Sequence, residues 1–206
     1  MFIESPPSVY RALFPGVVWR IVDSETPTVY LTFDDGPIPE VTPRILDILD
    51  SFGVKASFFM VGENARRNPE LPERIRRDGH TVGSHTMRHL KGLYTPVDEY
   101  LNDARRCADL LGTRLFRPPH GVMRPSQLRL LRSHYNIIMY DVVTRDYAPE
   151  LSADDVLSNV MKYVRDGSII VFHDSLKALP RVIDALPRTI EWLISQGYEL
   201  RALPHG

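Results

Sequence analysis

An α/β domain of parallel strands joined by crossover helices is the fold this sequence predicts, and three observations predict it. Strand-like and helix-like patterns alternate along nearly the whole chain, the pattern of parallel pairing through helical crossovers. The 206 residues suit a single domain with a full hydrophobic core. Three residues able to do chemistry, Asp34, Asp146 and His173, each follow a strand-like run. Parallel barrels gather their sites at the C-terminal ends of strands.

The elements follow in order. Residues 1–26 do not share the alternation, and their proline-containing turns predict a segment packed on the outside of a barrel formed by residues 27–206. Thr28-Val29-Tyr30-Leu31-Thr32-Phe33 is a run of strand formers cut off by Asp34-Asp35-Gly36-Pro37. Val41, Ile45, Ile48, Leu49 and Phe52 recur at helical spacing until Gly53 stops them. Lys55 to Val61 reads as a strand, and a charged helix from about Pro69 to Arg77 closes at Asp78-Gly79. The helix from Pro96 to Leu111 has proline in its first turn and Gly112 after its end. A short helix at Pro125 to Arg132, a strand at Asn136 to Tyr140, a helix at Asp154 to Val164 and a strand at Ser168 to Phe172 come next. Ile190, Leu193 and Ile194 share one face of a last helix, Pro187 to Gln196, and Gly197 separates it from a strand at Tyr198 to Leu200.

Composition narrows the functional classes. Hydrophobic residues make up 43% and charged residues 25%, as in ordinary globular proteins. A formal net charge of -1, from 25 basic and 26 acidic residues, gives no electrostatic reason to bind nucleic acid or an anionic membrane. Phe14-Pro15-Gly16-Val17-Val18-Trp19 is too short and broken for a membrane span. The start lacks the basic-then-apolar pattern of a signal peptide, so a cytoplasmic protein is the expectation. Cys107 is the one cysteine, which excludes an internal disulfide and a cysteine-type zinc site. Its neighbours Ala104, Ala108 and Leu111 predict a small buried helix side chain.

Asp34 and Asp35 are adjacent and so point in different directions. One can bind a metal while the other stays free as a base, the requirement of metal-assisted hydrolysis. His85 and His89 are four apart, which on a helix would put both rings on one face, able to ligate one metal. An isolated pair of this kind equally suits a solvated surface. With one carboxylate added, it becomes a two-histidine, one-aspartate zinc site with an open position for water. His80, after Gly79 at a strand start, reads as a structural histidine with a satisfied hydrogen bond. His173 ends the apolar run Ile169 to Phe172, and a carboxylate partner would favour its protonated form. Asp146 and Asp174 are the candidates, and Asp146 is the better one because it too follows a strand.

Thr32-Phe-Asp-Asp-Gly36, His85-Thr-x-x-His89, Arg117-Pro-Pro119, Asp146-Tyr147 and Val171-Phe-His173 together resemble the ordered motifs of the polysaccharide deacetylases. These are the carbohydrate esterase family 4 enzymes with a NodB-homology domain, and the resemblance runs from about residue 27 to about residue 201. It implies a distorted (β/α)7 barrel. It implies that Asp34 is the general base, that Asp35, His85 and His89 hold the metal, and that Arg117 orients the base. It further implies that Asp146 holds His173, the general acid, and that the His120 backbone N–H helps hold the oxyanion. The sequence departs from the family pattern at His120, usually Tyr; at Tyr147, usually Trp; at Val143, often Asp; and at Val171, usually Leu. The catalytic set is intact and the substrate-facing positions are altered. The implied activity is zinc-dependent removal of the acetyl group from an N-acetylated carbohydrate, with cobalt or another divalent ion also suited to the ligands. Two rival readings are an amidohydrolase of the same fold acting on a non-sugar amide, and a non-catalytic metal- or carbohydrate-binding barrel.

Overall fold

The computed structural model describes residues 4–22 and 25–204. A short helix, α1 (Ser8–Ala12), precedes the first strand, β1 (Thr28–Asp34). Then follow α2 (Thr42–Ser51), β2 (Ser57–Met60), α3 (Gly62–Arg67), α4 (Glu70–Arg77) and β3 (Thr81–Ser84). The chain continues through α5 (Val97–Leu111), β4 (Leu115–Phe116), α6 (Pro125–Leu131), β5 (Asn136–Ile137) and β6 (Val142–Val143). It ends with α7 (Ala153–Tyr163), β7 (Ile169–His173), α8 (Leu179–Ser195) and β8 (Glu199–Arg201).

All strand pairs are parallel, in the order β5-β4-β3-β2-β1-β7-β6, with β8 beside the first half of β1. The sheet curls into an open half-barrel, as the distorted barrel of the sequence expectation requires. Every residue of β1 is buried, as befits a central parallel strand covered on both faces. Residues 18–21 reach across the open side: Val18 bridges to Ile138, Arg20 bridges to Ser168, and the Ile21 N–H donates to the Gly167 carbonyl.

The two-residue period of the strands sorts side chains between two layers. Val29, Leu31, Phe33, Phe58, Ile170 and Phe172 pack outward against the helices. Tyr30, Phe59, Leu115, Ile169 and Val171 fill the barrel interior. By the same alternation Asp34, Arg117 and His173 belong to the interior set. Register does the rest, because Asp34 pairs directly with His173 across β1 and β7.

The helices are where sequence and structure differ most. α8 begins at Leu179 and runs through Pro187, whereas the proline suggested a helix start. Val182, Ala185, Leu186, Thr189, Ile190 and Leu193 form one buried stripe spanning the proline. Each large apolar side chain so buried is worth about 1.5–3 kcal/mol, which together exceeds the roughly 3 kcal/mol a mid-helix proline costs. α3 and β6 are elements that the sequence reading did not separate. α7 is capped as its sequence allows, with Ser152 and Asp155 forming a reciprocal capping box. Cys107 is fully buried in α5, and His80 accepts the Ala56 N–H through Nδ1 at 3.1 Å, a structural role. Among the described residues no helix is long and apolar enough to cross a membrane.

Candidate active site

A cavity of about 270 Å³ opens at the C-terminal ends of the strands, lined by Asp34, Asp35, His85, His89, His120 and His173. Tyr147 and Val171 also line it. Three strand ends and two connecting turns thus bring the predicted site residues into one place.

The β1 terminus divides the two aspartates as their adjacency demands. Asp34 still follows the strand, while Asp35 takes a left-handed conformation with φ 82°. Gly36 follows in close contact, since a Cβ there would lie 1.8 Å from Asp174 Oδ2. Asp174 accepts the Gly36 N–H at 2.8 Å and the Thr42 hydroxyl at 2.7 Å. Burial pushes the Asp174 carboxyl up to about 8. It braces the aspartate turn and leaves the partnership with His173 to Asp146.

His85 and His89 do not lie on a helix. β3 ends at Ser84, and the residues after it form an irregular turn in which Thr86 and His89 both have positive φ, 63° and 56°. The two rings converge because the backbone reverses, and their centroids are 5.1 Å apart. His85 Nδ1 lies 2.8 Å from the Arg117 carbonyl oxygen. A carbonyl only accepts, so Nδ1 carries the proton and Nε2 presents a lone pair to the cavity. Burial pulls His85 down to about 4, and so holds it neutral. Asp35 Oδ1 lies 3.1 Å from His89 Nε2 and 3.8 Å from His85 Nε2. Burial would raise the Asp35 carboxyl, but the His89 hydrogen bond and neighbouring imidazoles outweigh it and hold Asp35 well below the usual carboxylate range.

These three residues fit a metal ion. One donor atom from each lies within 4.8 Å of the others. Two imidazole nitrogens and a carboxylate oxygen are the donor set of an open catalytic zinc site. The fixed tautomer of His85 is the support such ligands usually have.

Two ion pairs accompany the triad. Arg117, fully buried, donates through Nη1 to Asp34 Oδ1 at 2.7 Å and to the Thr32 hydroxyl at 2.8 Å. Its other nitrogens bind the Ile138 and Met139 carbonyls, and its guanidinium lies 4.0 Å from the centre of the Phe59 ring. Asp34 Oδ2 lies on the side of these three residues, 4.0 Å from His85 Nε2. In the second pair Asp146 accepts twice from His173, from Nδ1 at 2.7 Å and from the backbone N–H at 2.8 Å. Burial opposes the charge on His173, but Asp146 overrides it and raises His173 to about 9. Tyr147 packs edge-on against the His173 ring at 4.8 Å.

His120 occupies a tight left-handed turn between Pro119 and Gly121, with φ 59°. Its ring is exposed and lies 4.8 Å from that of His89. Gly121, Tyr140, Val143, Ser175 and Lys177 complete the lining, and of these the sequence points only to Val143, through its departure from the family pattern. Tyr140 ended a strand-like run, and that position could have flagged it. Ser175 and Lys177 lie in the β7–α8 connection and carry no such signal.

Comparisons with known proteins identify the family. The polysaccharide deacetylase family model matches residues 22–135. This chain belongs to the polysaccharide deacetylase family. A peptidoglycan-N-acetylglucosamine deacetylase of Bacillus cereus is 36% identical over 184 residues, covering 85% of this chain and 66% of that protein. A chitooligosaccharide deacetylase of Sinorhizobium fredii is 32% identical over 198 residues, covering 87% of this chain and 92% of that protein. Among solved structures, a peptidoglycan N-acetylglucosamine deacetylase in complex with 4-naphthalen-1-yl-N-oxidanyl-benzamide superposes with a TM-score of 0.86 at 34% identity, covering 92% of this chain and 91% of that one. The fold is also that of a family 4 pseudoenzyme from Bacillus anthracis, with a TM-score of 0.81 at 27% identity, covering 96% of this chain and 71% of that one. Fold alone therefore does not establish turnover, and the side chains of the site have to carry it.

Proposed function

We propose that this family member is a metal-dependent hydrolase that removes the acetyl group from N-acetylated sugars of a glycan, releasing acetate and a free amine. One observation carries the reading: Asp35, His85 and His89 share a single cavity with Asp34, which is paired with Arg117, and with His173, which is paired with Asp146. That arrangement supplies a metal site, a base and an acid together.

Zinc, or cobalt in its place, held by Asp35, His85 and His89 would polarise the acetamide carbonyl and make water more acidic. Asp34 Oδ2 faces the triad and takes the proton of the attacking water, while Arg117 fixes the carboxylate through Oδ1. The His120 backbone N–H supports the developing oxyanion. His173, held protonated by Asp146, donates its proton to the departing nitrogen as the C–N bond breaks. Val171 and Tyr147 shape the wall against which the acetyl group and sugar rest.

The relatives named for peptidoglycan N-acetylglucosamine and for chitooligosaccharide support a substrate built from N-acetylglucosamine. Acetate release by zinc-loaded protein on chito-oligosaccharides, peptidoglycan fragments and small non-sugar amides tests this. Turnover of the glycans alone is the expected result. Turnover of the non-sugar amides alone would move the substrate class. Metal binding with no turnover of any of them would make the chain a pseudoenzyme.

A further inference from the structure

We infer that Asp103 on α5 is a positioning residue for the metal centre, fixing the turn that carries His89; this rests on Asp35, His85 and His89 being the metal ligands. The turn between the two histidines is intrinsically unfavourable. Thr86 and His89 both take left-handed backbone conformations, φ 63° and 56°. A β-branched residue rarely does so, and such geometry persists only where its surroundings impose it.

Those surroundings are on two sides. From one side, the Gly62 and Glu63 N–H groups donate to the Thr86 and Met87 carbonyls at 3.0 and 2.9 Å. From the other, Asp103 Oδ1 accepts the Met87 N–H at 2.7 Å and the Arg88 N–H at 3.1 Å. Asp103 Oδ2 accepts Arg88 Nε at 2.7 Å. Inside the turn, the Thr86 hydroxyl accepts the Leu90 N–H at 3.0 Å. The Asp103 carboxylate is buried, 1% exposed, among the Ala104, Cys107 and Ala108 face of α5. A buried carboxylate is costly unless fully partnered, and here all its partners lie in the segment between the two histidines. Asp103 touches neither imidazole. It acts through two consecutive backbone N–H groups, immediately before His89, and so sets where that ring points relative to His85 and Asp35.

The test compares wild type, Asp103→Ala, Asp103→Asn and His89→Ala, each stripped with chelator and checked for folding by circular dichroism. Zinc affinity is measured by competition with a chromophoric chelator, and site geometry by the visible spectrum of the cobalt form. The expected loss of zinc affinity for Asp103→Ala is about 10- to 100-fold, the range for support of a ligand, with an altered cobalt spectrum. Asp103→Asn keeps an oxygen for the backbone N–H groups and falls between it and wild type. A merely structural clip would lower the melting temperature of the metal-free protein and leave zinc affinity and cobalt spectrum unchanged, which would overturn the inference. If Asp103→Ala does not fold, Asp103→Asn decides by the same two readouts. Should His89→Ala bind zinc as wild type does, the ligand assignment itself has failed. Should His89→Ala lose zinc while both Asp103 variants match wild type, only the positioning role has failed.

Discussion

Asp146→Asn tests the acid of the proposed reaction at the least structural cost. The substitution keeps the size of the side chain and an oxygen that can accept from His173 Nδ1, now at 2.7 Å from Asp146 Oδ1. It removes the charge. In the metal-free protein His173 rises from 6.5 to about 9 although burial pulls it down, and Asp146 is the principal cause of the rise. That climb corresponds to roughly 3 kcal/mol favouring the imidazolium. Without the anion, burial dominates, and His173 falls toward 6.5 or below it. At pH 7.5 the protonated fraction then drops from nearly all to about a tenth or less. The basic limb of the kcat/KM profile, measured by acetate release, should move to lower pH by more than one unit. A divalent ion on Asp35 lowers the limb in wild type and mutant alike, so their difference survives metal loading. Stability gives an independent readout with a definite sign. A histidine with a raised pKa stabilises the fold fully below its unfolded value and loses that contribution as pH rises through about 9. Urea denaturation of the metal-free proteins should therefore show a wild-type advantage at pH 6 that narrows toward pH 10. A basic limb that does not move in folded, metal-loaded Asp146→Asn would refute the pairing as the source of the acid.

Four further outcomes follow from the same geometry. Asp34→Asn should keep the metal and lose turnover by roughly 100-fold or more, the scale of a general base; near-wild-type activity would remove Asp34 from that role. Asp35→Ala and His89→Ala should each abolish stoichiometric zinc binding, and full occupancy by metal analysis in both would reject the ligand set. Gly36→Ala places a Cβ against the Asp174 carboxylate, which is itself tied to Gly36 and Thr42; a loss of about 1–3 kcal/mol in urea denaturation is expected, and a change under about 0.5 kcal/mol would show that the turn relaxes freely. His120→Ala should hold zinc and keep kcat within about tenfold, because the backbone N–H survives; a loss beyond about 100-fold in the zinc-loaded protein would assign the imidazole itself to substrate or metal.

The cluster was legible where strand chemistry defines position. Asp34 and His173 announce themselves because apolar runs end in polar residues, and the two-residue period fixes which way they face. Asp146 could be preferred over Asp174 because it too comes after a strand-like run, and it is Asp146 that bonds His173. Legibility ended where tertiary contacts override local pattern. The spacing of His85 and His89 suits a helix, yet the segment is a turn held by Asp103 and by the N-terminus of α3, neither of which is near it in sequence. The helix start assigned to Pro187 failed likewise, because an unbroken apolar stripe outweighs one lost hydrogen bond. Asp103 itself carried no signal. An acid on an amphipathic helix reads as solvated, and only the fold reveals it as buried.

The two ion pairs explain why the site needs both of its buried helpers. Asp34 and His173 are register partners on neighbouring strands. Left alone, a carboxylate and an imidazole so placed would satisfy each other by proton transfer or by a direct salt bridge, and neither would be available to substrate. The structure gives each its own counter-ion. Arg117 reaches Asp34 from β4 and is pinned by the Ile138 and Met139 carbonyls and the Phe59 ring. Asp146 reaches His173 from the connection after β6 and grips both its ring and its backbone. Each pair is locally near neutral, so the cluster presents one uncompensated carboxylate, Asp35, to a cation. The carboxylate proposed as the base and the imidazole proposed as the acid are thereby held side by side. A hydrolysis that removes a proton from water on one side and returns one to nitrogen on the other requires that separation.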